Sequence, residues 1–463
     1  MRQSATIRCL RSEIDEQMKK YGYSLTKLSK LAGIRLGYLS ETLNRRPPRP
    51  ITINLLDSIA KALHQPPGWL YELYPGECIS DEKVSRPRMI PFLIRCAELG
   101  RLDLITSTAS KLLEIPKNIE ILFYVAEQLW EKGLQSESVH FYRLVIENER
   151  DSFHDRFTIS QYRLFRASLG TNAEDNKEAL VRFELYYNRL AEDFQLDALL
   201  HMANIYYTLE NWKKVERYAD ELRELAGKVY EDQLRKRYST KPIESLNTDR
   251  HLVVYYGQGF LLKGIALTMQ EQYEKAKNYV SVYSDLGWFE FLDEIGKKEV
   301  EKFRIWGKGN MLMLNLMTGN QNILPDYSDF LEDNPTDTLP YMLGMMEAAN
   351  RNNFSVDDVV NRFCERIPHP DTMTTHIKRK QLFRFWYEKA IYNFKHGRRS
   401  CGIKDLLTAL NLAEKMQYSS GLRKMILLML YEVDGANEQQ EIQKMLDELR
   451  SEHKLDPPFS TPI

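Results

Sequence analysis

The chain has 463 residues, of which 43% are hydrophobic and 28% charged, so it can bury sizeable cores and exceeds the usual size of one domain. The first twenty residues carry charges throughout, and no 18 uncharged apolar residues run together, so we expect neither a signal peptide nor a membrane-spanning helix. Residues 1–75 have a net charge of +6 and the remainder −7, which predicts that only this basic head meets a polyanion.

The first predicted helix lies near residues 7–21, where apolar residues recur at helical spacing: Ile7, Leu10, Ile14 and Met18. Gly22 is placed to end this helix, because glycine readily takes the left-handed conformation after a helix C-terminus. Ser24 then stands where an N-cap belongs, with a hydroxyl that can accept a hydrogen bond from a free backbone amide. A second helix is therefore expected directly after Ser24.

Residues 24–40 have the spacing that a helix-turn-helix needs. Ser29 is small where the two helices touch, and Gly33, four positions later, tolerates a positive φ in the turn. Apolar residues that would lock the second helix onto the first are Leu28, Ile34 and Leu39. This predicts a recognition helix from about Leu36 to Asn44, with its N-terminal side chains in a DNA major groove.

A rigid basic turn follows, with Arg45, Arg46 and Arg49 set among prolines. Thr52 can cap a further helix that carries the apolar face of Leu55, Leu56, Ile59, Ala60 and Leu63. The stretch from Pro66 to Tyr74 predicts a last short helix that closes the bundle. The head is thus expected to be a five-helix bundle over residues 1–75.

Residues 5–75 resemble the Xre/Cro-type helix-turn-helix family, both in the motif itself and in the segment Leu-Asp-Ser-Ile-Ala-Lys-Ala-Leu that follows it. Two positions depart from the family pattern. Arg35 stands where Ser or Thr usually caps the recognition helix, and Gly37 replaces a side chain that often contacts a base. Base reading is therefore expected to depend on fewer side chains than usual.

Two sets of residues are predicted to contact DNA. The base-reading candidates are Arg35, Leu36, Tyr38, Ser40 and Glu41. The phosphate-contacting candidates, which would fix the register without reading sequence, are Ser24, Lys27, Arg45, Arg46 and Arg49. The alternative is a helix-turn-helix that serves only as a protein-interaction module, or a basic surface that is simply solvated.

After a linker over residues 76–88, residues 89–455 read as successive helix pairs. Four places repeat a small residue, a bulky one three positions later, a small or β-branched one at twelve and an apolar or bulky one at sixteen. They are Ala126/Leu129/Ser138/Tyr142, Ala203/Tyr206/Val215/Ala219, Gly264/Leu267/Ala276/Val280 and Ala390/Asn393/Gly402/Leu406, with Ala219 and Asn393 as the weak members. This resembles degenerate tetratricopeptide repeats, which implies an all-α fold in which an α-solenoid follows the helix-turn-helix bundle. An irregular helical bundle is the alternative.

The first helix of each pair would line the inner wall of such a solenoid. The candidate peptide-binding residues on it are Asn204, Tyr207, Tyr255, Gln258, Arg304, Asn310 and Asn315, with Tyr256 beside them. An asparagine amide can both donate to and accept from a peptide backbone, which makes it suited to such a wall. The alternative for each tyrosine is ordinary packing between helices.

The sequence contains no HExxH, GxxxxGK[ST], GxSxG or CxxC motif, so we expect no enzyme, no cofactor and no metal. Gly257 and Gly259 are read as helix packing, and His369, Asp371 and His376 as a solvated loop and not as metal ligands. The odd set of Cys9, Cys78, Cys96, Cys364 and Cys401 predicts free thiols in the cytoplasm. The apolar segment 422–430 suggests a core helix or dimer seam, and residues 438–453 a terminal helix.

A Xre-type head joined to tetratricopeptide-like repeats is similar in layout to the RRNPP family of peptide-pheromone receptors and to the arbitrium receptors of phages. That resemblance implies a cytoplasmic homodimer that binds an inverted-repeat site on double-stranded DNA through two heads. A short signalling peptide, bound inside the repeats, would change the spacing between the heads. The alternative from a different class is an adaptor whose repeats bind or inhibit a signalling protein.

Overall fold

The computed structural model describes residues 9–80, 83–170, 172–239, 246–369, 376–416, 418, 421–425 and 428. The predicted terminal helix near 438–453, most of 426–430, and Asp371 lie outside the described residues. The fold is all-α, as predicted: a helix-turn-helix bundle is followed by a repeat-like helical solenoid. The only strands among the described residues are a two-residue antiparallel pair, in which Ile79 lies opposite Val84.

The chain divides into two compact units, the first ending at Ala198 and the second beginning at Leu199. The helices of the first unit are α1 (Leu10–Lys20), α2 (Leu25–Ala32), α3 (Leu36–Leu43), α4 (Ile53–Ala62), α5 (Pro75–Cys78), α6 (Arg86–Glu98), α7 (Leu102–Leu113), α8 (Ile119–Glu131), α9 (Gln135–Asn148), α10 (Asp155–Ser168) and α11 (Ala173–Phe183). Strands β1 (Ile79–Ser80) and β2 (Lys83–Val84) lie between α5 and α6, and short 3₁₀ turns occur at Pro116–Asn118 and Tyr187–Arg189. Helix α12 (Glu192–Thr208) spans the division.

The helices of the second unit, after the end of α12, are α13 (Trp212–Arg237), α14 (Leu252–Met269), α15 (Tyr273–Tyr283), α16 (Glu294–Met317), α17 (Leu324–Asp333), α18 (Thr338–Asn352), α19 (Asp357–Phe363), α20 (His376–Lys395) and α21 (Arg399–Lys415). Three 3₁₀ turns, at Gln321–Ile323, Pro335–Asp337 and Cys364–Arg366, flank α17 and α19. By length and composition α14 could cross a membrane, but most of it is buried inside the protein, as expected of a core helix.

The predicted closing helix of the head, from Pro66 to Tyr74, is wrong. These residues form consecutive turns, and the helix that follows them, α5, is only four residues long. Gly68 and Leu70 have φ values of 81° and 64°, which an α-helix does not accept. The apolar residues of this stretch suggested a helix because they are placed to be buried. Tyr71 and Tyr74 are indeed fully buried, but in turns and not in a helix.

The apolar core of the head continues into the helices that follow it. A single cluster of buried residues runs from Leu10 to Val145. At its centre the ring of Phe92 on α6 lies 5.7 Å from that of Tyr71 and 5.1 Å from that of Tyr74. Aromatic pairs at this separation stabilise a core beyond the area that they bury. The head therefore packs directly on α6, which belongs to the first helix pair after residue 75.

The predicted helix pairs are confirmed. The four repeated patterns fall on α8 with α9, α12 with α13, α14 with α15, and α20 with α21. Small residues at the contacts are fully buried, as at Ala126 and Ala203, so that the backbones can approach. Asn393, the weak member, donates a hydrogen bond to the buried carboxylate of Asp405 at 2.7 Å, which makes it a polar contact within its pair. That these pairs belong to the tetratricopeptide family stays a prediction.

Candidate functional site

The geometry of a helix-turn-helix is present at α2 and α3. The Ser24 hydroxyl caps α2 by accepting a hydrogen bond from the Lys27 amide at 3.2 Å. Gly33 ends α2 in the left-handed conformation, with φ of 67°. The Ser29 hydroxyl, nearly buried, donates to the Ile34 carbonyl at 2.5 Å and so holds the turn together. Ser24 and Gly33 thus have the local roles that the sequence predicted, whereas the hydrogen bond from Ser29 was not predicted.

Helix α3 presents an exposed edge. Leu28 and Leu39 are fully buried and fix α3 against α2, whereas Ile34 is half-buried. The base-reading candidates Arg35, Leu36 and Glu41 are exposed, and Tyr38 and Ser40 are half-buried. Arg35 provides no side-chain cap for α3, so its guanidinium is not bound to its own helix end.

Arg49 is held against this edge. Its guanidinium lies 4.4 Å from the centroid of the Tyr38 ring, a cation–π geometry, and its Nη1 lies 3.3 Å from a Glu41 carboxylate oxygen. The Arg49 amide also donates to the Glu41 carbonyl at 3.1 Å. A residue predicted to contact only phosphate therefore touches two of the base-reading candidates. The sequence did not reveal this, because it depends on the path of the loop after α3.

Arg11 on α1 connects the end of α3 to α5. It donates to the Thr42 carbonyl at 2.9 Å, to the Arg49 carbonyl at 2.9 Å and to the Glu77 carboxylate at 2.5 Å. Glu77 also accepts a hydrogen bond from the Ile51 amide at 2.9 Å. Charge-assisted bonds of this kind are the strong ones in proteins. Sequence reasoning missed Arg11 and Glu77, since they are 66 residues apart and neither belongs to the motif.

The other phosphate candidates lie at the surface of the head. Ser24, Lys27, Arg45 and Arg46 are exposed. The Lys27 ammonium lies 4.1 Å from the Tyr23 ring centroid, whereas Arg45 and Arg46 have no carboxylate partner among the described residues. Unpaired exposed arginines beside an exposed helix can neutralise phosphates without first breaking an ion pair.

The second unit contains a cavity of about 290 Å³, at the lower end of the range for small-molecule sites. Its wall comes from α12, α14, α16, α18 and α20, the first helices of successive pairs, together with α15. Much of the lining is apolar, and three flexible methionines, Met269, Met313 and Met317, take part. Methionine adapts its shape to a bound apolar group more readily than branched side chains do.

A smaller cavity of about 40 Å³ adjoins the first, and both are lined by Tyr207, Gln381 and Arg384. We call these three residues the neck. Arg384 donates to the Glu347 carboxylate on α18, and burial raises the pKa of Tyr207 against the opposing influence of the Arg384 charge. In the smaller cavity the Lys380 ammonium lies 2.8 Å from a Glu210 carboxylate oxygen.

Two of the seven peptide-binding candidates line the large cavity, namely Tyr207 and Asn310. The Asn310 amide nitrogen already donates to the Tyr283 hydroxyl at 2.8 Å. Tyr255 does not line it: the side chain is fully buried, and its hydroxyl accepts a hydrogen bond from the Arg250 amide at 3.0 Å. A packing role thus replaces the predicted one, because the face of α14 that carries Tyr255 is turned into the core.

The remaining four candidates lie elsewhere on the second unit. Asn204 and Arg304 are exposed, and the Arg304 guanidinium is 2.6 Å from Glu301 on the same helix. Gln258 and Asn315 are half-buried and do not line the cavity. Sequence reasoning missed Arg384, Gln381 and Glu347. The separation of 37 residues between Glu347 and Arg384, close to the repeat period, could have pointed to a contact between neighbouring inner helices.

No group of three or more His, Cys, Asp or Glu side chains with the arrangement of a metal site occurs within the described ranges. Comparison with known proteins matches residues 13–76 to the Cro/C1-type HTH DNA-binding domain family. No curated protein matches the chain. A solved structure described as a circular tandem repeat protein with novel repeat topology and enhanced subunit contact surfaces aligns over 95% of this chain and 90% of its own, at 12% identity and a TM-score of 0.18.

Proposed function

We propose that this protein is a cytoplasmic transcription regulator that binds double-stranded DNA through its N-terminal helix-turn-helix and a short signalling peptide through its helical repeats. The observation that carries the DNA-binding part is the exposed edge of α3, followed by Arg45 and Arg46, which are exposed and have no carboxylate partner in the described part of the chain. The match of residues 13–76 to a DNA-binding domain family supports it. The peptide-binding part is supported by the cavity on the first helices of successive pairs.

The proposed active form is a homodimer on an inverted-repeat site. Two recognition helices reach two half-sites when they are about 34 Å apart, one turn of DNA. A peptide that favours one spacing of the heads over another would then change DNA affinity. The change is limited to the difference in peptide affinity between the two states, typically about 1–3 kcal/mol.

The test is DNA binding by the full-length protein across the region upstream of its own gene, with a salt titration. We expect a specific site, bound much more tightly than random DNA and with a steep dependence on salt. Arg35→Ala and Tyr38→Ala should reduce the preference for that site, whereas Arg46→Ala should weaken binding to all DNA about equally. Arg182→Ala, which removes an exposed arginine of the body, is the matched control and should change neither.

Equal losses on specific and random DNA for Arg35→Ala, Tyr38→Ala and Arg46→Ala would contradict the assignment of α3 as the recognition helix. Weak binding that is indifferent to sequence, with and without peptide, would favour the adaptor alternative instead.

A further inference from the structure

The neck of the second unit presents hydrogen-bond donors that have no acceptor among the described residues. A guanidinium carries five N–H donors, and among the described residues Arg384 is bonded only to Glu347. The Tyr207 hydroxyl and the Gln381 amide have no hydrogen-bond partner in the part of the chain that the structure describes. All three side chains are half-buried, and all three line both cavities. Buried donors normally find acceptors, so this cluster is suited to an acceptor supplied by a ligand.

The charges around the neck leave Arg384 able to bind an anion. Glu347 is its direct partner, and Glu210 is already paired with Lys380. Burial raises the pKa of Glu388, the next acidic residue on α20, and its carboxylate accepts a hydrogen bond from the Asn350 amide at 2.8 Å. A guanidinium can bind a second carboxylate through its remaining N–H groups without losing the first.

The large cavity on one side of the neck is mostly apolar, although Asp337 and Asn310 also line it. Ile265, Met269, Met313 and Leu343 line it, and Trp306 supplies an aromatic wall. Its volume of about 290 Å³ is at the lower limit of ligand sites, which suits a few apolar side chains better than a whole folded partner. The large cavity ends at the hydrogen-bond donors of the neck. This arrangement is complementary to an apolar peptide segment that ends in a carboxylate.

We propose that the neck binds the C-terminal carboxylate of a short apolar peptide, with Arg384, Gln381 and Tyr207 as donors and the last side chains of the peptide in the large cavity. This rests on the proposed function, in that the ligand is a peptide, and it adds which end is recognised and by which residues. Thr268 and the methionines then select apolar side chains, and Arg384 selects a free carboxyl end.

The experiment uses two pools of random hexapeptides built from Gly, Ala, Val, Leu, Ile, Met and Phe. Both pools have free amino ends; one ends in a carboxylate and the other in a carboxamide. Peptides retained by the full-length protein are measured by affinity selection and mass spectrometry. A charge-assisted hydrogen bond corresponds to about a 10- to 100-fold preference, so we expect the acid pool to be retained at least about 10-fold over the amide pool.

Variants distinguish the contribution of the neck to peptide binding from that of the large cavity. Arg384→Gln should abolish the preference for acids, and Glu347→Gln, which removes the competing carboxylate, should keep or increase it. The double variant Arg384→Gln/Glu347→Gln leaves no unpaired buried charge and should also show no preference, even if Arg384→Gln alone folds poorly. Thr268→Phe fills the large cavity and should reduce retention of both pools. Among the described residues the Thr268 hydroxyl bonds only its own helix. Arg362→Gln, at the surface pair with Glu332, is the matched control.

Equal retention of acids and amides, or a preference for amides, would overturn the inference while leaving peptide sensing intact. Retention of neither pool would overturn it together with the peptide-binding part of the proposed function. The DNA-binding part is measured separately and would stand in either case.

Discussion

Arg49 gives the sharpest test of how the head reads DNA. Its side chain stacks on Tyr38 and pairs with Glu41, whereas its charge is also suited to a phosphate. Arg49→Ala removes both roles, and Arg49→Lys keeps the charge but loses the planar stacking and the fork of donors. Arg46→Ala removes an exposed arginine that makes no such contacts, so it is the matched comparison.

The size of the effect follows from the two contacts. An exposed cation–π contact contributes about 0.5–1 kcal/mol, and an exposed ion pair with both side chains near half exposure about 0–1 kcal/mol. Losing both should therefore reduce the ratio of specific to random DNA affinity about 2- to 30-fold, since about 1.4 kcal/mol is a factor of ten. Each lost phosphate contact should also lower the slope of log affinity against log salt by about 0.9.

The assay is fluorescence anisotropy with the specific fragment and with random DNA of equal length, at several salt concentrations. Arg49→Lys should keep the salt slope of the unsubstituted protein but lose most of the specificity ratio. Arg46→Ala should keep the ratio and lose slope. If Arg49→Lys keeps the full ratio, or if Arg49→Ala behaves like Arg46→Ala in both measurements, Arg49 does not position Tyr38 and Glu41.

Three further predictions concern stability and its dependence on pH. Glu77→Gln should lower the free energy of unfolding by about 1.5–3 kcal/mol, because it weakens the bonds from Arg11 and Ile51; urea titration measures this, with the exposed Glu16→Gln as control. Burial lowers the pKa of His140, whose Nε2 has no hydrogen-bond partner in the described part of the chain. The unfolded chain then binds a proton at His140 more readily than the folded chain. The contribution of His140 to the free energy of unfolding should therefore be fully present above about pH 6.5 and decline as the pH falls below it. His140→Gln should flatten this decline between pH 7 and pH 5 in thermal unfolding, and His64→Asn, at an exposed histidine, should not. Asp405→Leu should cost about 3–5 kcal/mol, since it leaves the half-buried Lys389 ammonium without its partner at 2.8 Å. Lys389→Met in the same chain should restore much of the loss. An undiminished stability of Asp405→Leu would refute this account of the ion pair.

The head was predictable because its determinants are local. Ser24, Ser29 and Gly33 make contacts within one or two turns of their own helices. Their spacing in the sequence therefore indicates where α2 begins and ends. The predicted helix over Pro66–Tyr74 was wrong because its course depends on the positive φ of Leu70. Leucine rarely adopts a positive φ, so no residue type in the sequence indicates this conformation.

The cavity was only partly predictable, because it depends on which face each inner helix turns to its neighbours. The small residues located the helix pairs, but not the rotation of each helix about its axis. Tyr207 and Asn310 lie on the cavity side, whereas Tyr255, three residues before Gln258 on α14, is turned into the core. The neck joins α12 to α20, more than 170 residues apart, and no pattern within one repeat indicates that contact.

The continuous core of the first unit limits how a ligand could move the heads. Turning the head away from α6 would expose Tyr71, Tyr74 and Phe92 and break the ion pair between the Arg95 guanidinium on α6 and Asp57 at 3.2 Å. Returning each large apolar side chain to water costs about 1.5–3 kcal/mol, so three cost more than the roughly 1–3 kcal/mol that couples two sites in a typical allosteric protein. A peptide could not supply that difference. In the proposed dimer, the spacing of the heads would therefore change through movement of the helix pairs that carry them, and the described residues 76–80 and 83–88 would move together with α6 instead of acting as a free hinge.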